Sequence, residues 1–118
     1  MGVLKLKHSD WDKERIEKLN SLDILDTESE IYLDNFVKLA SIICDTPISL
    51  ISLVDKDRQW FKARYGLDAK QTPREYAFCH HAILGDGPFI VENSLEDLRF
   101  ADNPLVIGEP NVIFYAGI

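Results

Sequence analysis

Residues 48–65 read Ile-Ser-Leu-Ile-Ser-Leu-Val-Asp-Lys-Asp-Arg-Gln-Trp-Phe-Lys-Ala-Arg-Tyr, and their reading decides the fold. Ile48 to Val54 is uncharged and rich in aliphatic side chains, the pattern of a strand covered on both faces and therefore central in its sheet. Asp55-Lys56-Asp57-Arg58 is a polar turn. Gln59 to Tyr65 then alternates, with Trp60, Lys62 and Arg64 on one face and Phe61, Ala63 and Tyr65 on the other, so the two segments predict an antiparallel hairpin.

Working outward toward the N-terminus, Asp45-Thr46-Pro47 closes a helix, because the residue before a proline is pushed toward extended conformations. That helix carries the stripe Tyr32, Phe36, Leu39 and Ile43, with Leu33, Val37, Ala40 and Cys44 beside it, and this predicts a wide buried face with Cys44 as a small core residue. Thr27-Glu28-Ser29-Glu30 has the form of a capping box at its start. Upstream, Ser9-Asp10-Trp11-Asp12 is a helix start, and Ile16, Leu19 and Leu22 give the first helix one apolar stripe down to about Ser21.

Toward the C-terminus, Gly66 to Thr72 reads as loop. Pro73 opens a short helix, Arg74 to Leu84, which Gly85-Asp86-Gly87-Pro88 terminates. Phe89 to Val91 is a third strand and Val112 to Ala116 a fourth, with a long loop between them that holds one helical turn near Asn103 to Val106.

With 118 residues the chain has room for one core. Its 46% hydrophobic and 28% charged residues are those of an ordinary globular protein, and no apolar run is long enough to span a bilayer. The net charge of −7, with scattered bases, argues against nucleic acid. No secretory signal is recognisable at the N-terminus, so the expected location is the cytoplasm. Cys44 and Cys79 form no Cys-x-x-Cys pattern and are read as reduced thiols.

Together, Leu25-Asp26-Thr27, Pro47-Ile48 with Ile51–Asp55, Arg58–Ala63, Gly66-Leu67, Thr72-Pro73-Arg74, Ala77-Phe78-Cys79, Arg99–Pro104 and Phe114–Gly117 resemble the GAF domains at the N-termini of bacterial sensor histidine kinases, in two-component systems, and of cyclic-di-GMP enzymes. The match runs from about Arg15 to the last residue. The resemblance implies an α+β domain, residues 1–118, with a central antiparallel sheet, N-terminal helices packed on one face and a ligand pocket on the other. It implies signal transduction by a sensor that binds an unknown small molecule and serves an output domain in a longer parent protein; the residues themselves point to no cofactor and no metal. GAF domains ordinarily continue past the Phe-Tyr-Ala-Gly strand with a further hairpin and a closing helix. A chain truncated at that point is expected to leave the edges of the Ile48–Val54 and Val112–Ala116 strands open, and so to be a homo-oligomer through strand edges or helices, partly unfolded, or a fragment.

Reactive side chains concentrate in Phe78-Cys79-His80-His81. Successive residues on a helix point about 100° apart, so His80 and His81 do not readily share a metal ion, and no third ligand is near in sequence. A related GAF subgroup, the free methionine-(R)-sulfoxide reductases, has a cysteine like Cys79, but its resolving cysteine is absent from His80 to Ile118. Bilin-binding GAF domains carry their cysteine after the strand corresponding to Phe89–Val91, whereas Cys79 precedes it. The predicted ligand-binding set is Phe78, Cys79, His81, Asp97, Arg99, Phe100, Asn103, Phe114 and Tyr115. Arg99 either pairs an anionic ligand or ties its own loop through Asp97 or Asp102, with Phe100 as anchor. The aromatic residues, Trp60 included, are either pocket lining or simply core. The reading is a regulatory domain without catalysis, against a Cys79 reductase or a purely structural dimerisation module.

Overall fold

The computed structural model describes residues 9–118. Its elements, in order, are α1 (Asp10–Ser21), α2 (Ile31–Cys44), β1 (Ser49–Val54), β2 (Arg58–Tyr65), β3 (Gln71–Pro73), a 3-10 turn (Arg74–Tyr76), α3 (Cys79–Ala82), β4 (Phe89–Val91), a second 3-10 turn (Ser94–Glu96), α4 (Pro104–Ile107) and β5 (Tyr115–Gly117). Helices and antiparallel sheets make this an α+β fold. The described residues fall into two compact units that meet at Thr72 and Pro73.

In the first unit β1 and β2 form the antiparallel hairpin that residues 48–65 predict, with Ser49 opposite Tyr65, Val54 opposite Gln59, and a change of register between Ile51 and Ser52. The strand order is β1-β2-β3, so β2 is central and β1 lies at an edge, which corrects the expectation of a central β1. The third strand forms inside what reads as loop, because Lys70 O accepts from Phe61 N and the Gln59 side chain reaches Thr72 Oγ1 at 3.0 Å. With a neighbour on each side, β2 buries Gln59 to Ala63 on both faces. Gly66 closes the turn after β2 at φ +78°, where an added Cβ would lie 1.9 Å from Pro47 O, so no other residue fits.

Helix α1 starts where its cap predicts, with Ser9 Oγ accepting from Asp12 N at 3.1 Å. Leu19 is its buried apolar residue, whereas Leu22 is exposed. Arg15 is held by Asp12 and donates to Val54 O at the end of β1. The capping box does not form. The N-cap of α2 is Glu30 with no side-chain cap, because Thr27 Oγ1 donates to Ile24 O and accepts from Lys62 Nζ, and Glu30 faces Lys62 at 2.9 Å.

Helix α2 packs on β1 and β2 through Val37 and Ser41. Its predicted stripe is instead exposed: Tyr32, Phe36, Leu39 and Ile43 are all more than half exposed, as is Ile42, and Cys44 is exposed rather than core. The face that α2 turns to the hairpin is the one that carries Val37 and Ser41. Ser41 is buried because its hydroxyl donates to Thr46 O, helping a C-cap in which Asp45 takes the left-handed conformation.

The second unit holds the two-stranded sheet of β4 and β5, in which Phe89 opposes Gly117 and Val91 opposes Tyr115. The expected single sheet containing the 48–65 hairpin and the last strand is therefore corrected to two sheets. The last strand is also shorter than predicted, because residues 112–114 lack strand pairing. Val112 N instead donates to Leu105 O and Ser94 takes Ile113 O with its amide and Val112 O with its hydroxyl. The predicted Arg74–Leu84 helix is split at Ala77, which is extended. Asn103 Nδ2 donates to the Tyr76 carbonyl at 3.0 Å and so satisfies it without a continuing helix. Phe78, Val91, Phe100 and Val106 make this unit's core, with Phe89, Val112 and Tyr115 packed against it.

Candidate functional site

Most of the predicted site residues converge in the second unit around the ring of Phe100, which is 1% exposed. Phe78 stacks on it with centroids 4.1 Å apart and planes within 5°. Tyr115 tilts against Phe78 at 5.0 Å and against Phe89 at 6.0 Å. His81, half-buried on α3, meets Phe100 edgewise at 4.8 Å and lies nearly parallel to Phe89 at 6.0 Å. The elements place these rings through short-range constraints. Phe78 immediately precedes α3, Phe89 opens β4, and Asp97 O accepts from the Phe100 amide at 2.9 Å, fixing the turn that inserts the ring.

Arg99 lies over the two phenylalanine rings at the rim, its guanidinium carbon 5.1 Å from the Phe89 centroid and 5.3 Å from the Phe100 centroid. Asp97 grips it bidentately, Oδ1 accepting from Nε at 3.0 Å and Oδ2 from an Nη at 2.7 Å. The pair is mutually reinforcing: the Arg99 hydrogen bonds hold the Asp97 carboxyl below its ordinary value, and Asp97 raises Arg99. The loop tie through Asp97, one of the two roles open to Arg99 in the sequence, is formed. The Arg99 side chain stays half-exposed.

Cys79 Sγ and Tyr115 OH are 3.2 Å apart at the start of α3. Burial, then the neighbouring Cys79, pushes the Tyr115 phenol well above its usual range, so it stays a neutral hydroxyl. Burial lowers His81, the nearby Arg99 cation lowers it further, and Asp97 opposes both. His80 points elsewhere: its Nδ1 accepts from Nε of the buried Arg74 at 3.0 Å. Among the described residues no three His, Cys, Asp or Glu side chains are grouped to hold a metal ion.

Asn103, 1% exposed, is occupied by Tyr76 O and, as N-cap of α4, by Leu105 N at 2.9 Å. Phe114 is not brought into the cluster and is 53% exposed. Trp60 lies in the core of the first unit. The site is thus a packed aromatic floor of Phe78 and Phe100 under a rim of Cys79, His81, Asp97, Arg99 and Tyr115. Such a rim offers a cation tied to a carboxylate, a neutral imidazole and a phenol, polar groups of the kind that orient a small molecule.

Two open clefts lie in the first unit, of about 390 Å³ beside Asp26, Asp55 and Arg58 and about 420 Å³ beside Thr27, Glu30 and Lys62. Arg58 and Lys62, the cations of these clefts, are both engaged. Arg58 binds both oxygens of Asp26 at 2.7 and 2.8 Å and Asp55 at 2.9 Å, and buried Lys62 donates to Thr27 Oγ1 and Glu28 O. Lys62 was missed as a fixed point of the fold. Its signal is a lysine in the middle of the apolar run Trp60-Phe61-Lys62-Ala63.

No family model matches this chain. A cyclic di-GMP phosphodiesterase of Pseudomonas aeruginosa is 46% identical to it over 99 residues, which are 84% of this chain and 17% of that protein. The chain is therefore similar to one segment of a much longer signalling enzyme. No helix among the described residues is long and apolar enough to cross a membrane.

Proposed function

We propose that the chain is a GAF-type regulatory domain of a cyclic-di-GMP signalling protein, acting in the cytoplasm and without catalysis of its own. A small molecule binds at the rim of Cys79, His81, Asp97, Arg99 and Tyr115, over the floor of Phe78 and Phe100. By preferring one packing of that rim it shifts a population that an output domain of the parent protein reads. The reading is supported by the 46% identity to a segment that makes up 17% of a cyclic di-GMP phosphodiesterase. A segment of that share leaves most of the relative's length for the reaction it is named for. The same reading includes self-association through the open edge of β1 or the outward face of α2.

Two assays on the purified chain test the absence of catalysis. Neither hydrolysis of cyclic di-GMP nor thiol-coupled reduction of free methionine-(R)-sulfoxide is expected. Turnover of either by the wild type, with the second lost in Cys79→Ala, would replace the regulatory reading by an enzymatic one.

A further inference from the structure

Helix α2 buries Val37 and Ser41 against the hairpin and carries an apolar stripe on its far side. Tyr32, Phe36, Leu39 and Ile43 follow one another at intervals of four, three and four residues, and all are more than half exposed. That spacing averages about 3.5 residues, the a/d seam of paired helices, in which each side chain enters a hole between side chains of a facing helix. At about 3.6 residues per turn the centre of the seam lies about 130° or more from Val37 and Ser41, so it does not continue the face that packs on β1 and β2. The flanks of the seam are Leu33 and Ala40 on one side and Asn35 and Ile42 on the other, all uncharged. Asp34 and Lys38 lie farther round the helix. Two heptads are too short for a free-standing coiled coil, but α2 is already held in place by the hairpin.

We propose that this seam docks α2 of a second copy of the chain, the two helices pairing seam to seam in a symmetric dimer. Area and charge both point to a copy. Tyr32, Phe36, Leu39, Ile42 and Ile43 leave about 600 Å² open, so two copies would bury about 1,200 Å², the lower bound for a specific, stable interface. A copy of a chain with net charge −7 is repelled over most of its surface. On this stripe and its flanks it meets no charge, and it brings the same 4-3-4 spacing to fill the holes.

The inference rests on the regulatory reading only for self-association, and between the two surfaces named there it selects α2. The alternative, β1, is an edge of six residues with a shift of register between Ile51 and Ser52, and Arg15 already donates to Val54 O at its end. Short, irregular and covered edges pair poorly.

Sedimentation equilibrium of the full chain tests this, with Leu39→Glu and Leu39→Lys measured singly and as an equimolar mixture. Leu39 is in the middle of the seam and outside the core, so both variants should keep the helix content of the wild type by circular dichroism. Either change alone sets like charges against each other in an apolar seam and should weaken the dimer at least about a hundredfold. The mixture should recover most of that loss, because Glu on one helix then meets Lys on the other. Ile107→Glu, on α4 of the second unit and 65% exposed, should leave association unchanged. In the wild type, raising salt from about 0.05 to 0.5 M should tighten the dimer several-fold, since it screens the mutual repulsion and has no ion pair in the seam to weaken. A monomeric wild type, undiminished association in both single variants, a mixture no tighter than its components, or a dimer that salt loosens overturns the proposal. The regulatory reading fails separately: a dimer that retains no small molecule from cells contradicts that reading and leaves the seam standing, whereas a monomer that retains one does the reverse.

Discussion

Replacing Phe100 by alanine removes the ring on which Phe78, His81, Phe89 and Arg99 all converge. The ring is 1% exposed, so its transfer from water is worth roughly 2–3 kcal/mol. A cavity that the surrounding aromatic rings fill poorly adds about 1–2 kcal/mol. The expected total is about 4 kcal/mol, a large share of the roughly 5–15 kcal/mol that stabilises a domain of this size. Urea unfolding followed by near-ultraviolet circular dichroism reads it as a midpoint lowered by about 2 M at an unchanged slope. A loss below about 1 kcal/mol would refute the reasoning, because truncating a ring that borders open solvent leaves no enclosed void. In that event Phe100 would be wall rather than floor.

Other positions give independent tests. Asn103→Ala should cost about 2–3 kcal/mol by chemical denaturation, since it orphans the part-buried Tyr76 carbonyl and the Leu105 amide together. Gly66→Ala should lower the melting temperature by an amount equivalent to about 2–4 kcal/mol, from the left-handed backbone and the clash with Pro47 O, whereas Gly85→Ala, with open space around its Cβ, should be nearly silent. The Asp26 carboxyl is held below its ordinary 3.8 chiefly by its hydrogen bond to Arg58, so its stabilising effect is present above that pH and lost as the pH falls through the depressed value. Arg58→Gln should therefore flatten the acid limb of the stability curve below pH 4, and an unchanged limb would disprove the assignment. Phe36→Glu on the outward face of α2 should reduce self-association measured by light scattering, and leave the helix content intact.

The hairpin was legible because its signals are local: an uncharged aliphatic run, a polar turn and strict alternation specify two paired strands without reference to anything distant. Helix α1 was legible for the same reason, since Ser9 caps the helix it precedes. Where two solutions competed locally, a distant partner decided. Thr27 and Glu30 have the spacing of a capping box, but Lys62 captures both, and a lysine 32 residues beyond Glu30 leaves no mark on that motif. On α2 apolar side chains run so far around the helix that its pattern does not say which part meets the hairpin, and Val37 and Ser41, not Phe36 and Leu39, are the residues buried. The 74–84 helix fails at Ala77 because Asn103, far along the chain, takes the Tyr76 carbonyl.

The candidate site was legible as composition and not as arrangement. Phe78, Cys79, His81, Asp97, Arg99, Phe100 and Tyr115 do assemble, yet residue types alone did not separate floor from rim. Burial does so by stacking Phe78 on Phe100, and charge does so by fastening Arg99 to Asp97. Phe114 and Tyr115, adjacent and chemically alike, part company at the start of β5: Tyr115 opens the strand and packs against Phe78, whereas Phe114 lies before it and is more than half exposed.

Native mass spectrometry of the chain isolated from cells, beside a form carrying Arg99→Ala and His81→Ala, bears most directly on the regulatory reading. A stoichiometric small molecule retained by the wild type and missing from the altered form is the predicted result. The bare polypeptide mass in both, under conditions that preserve the fold, would contradict it.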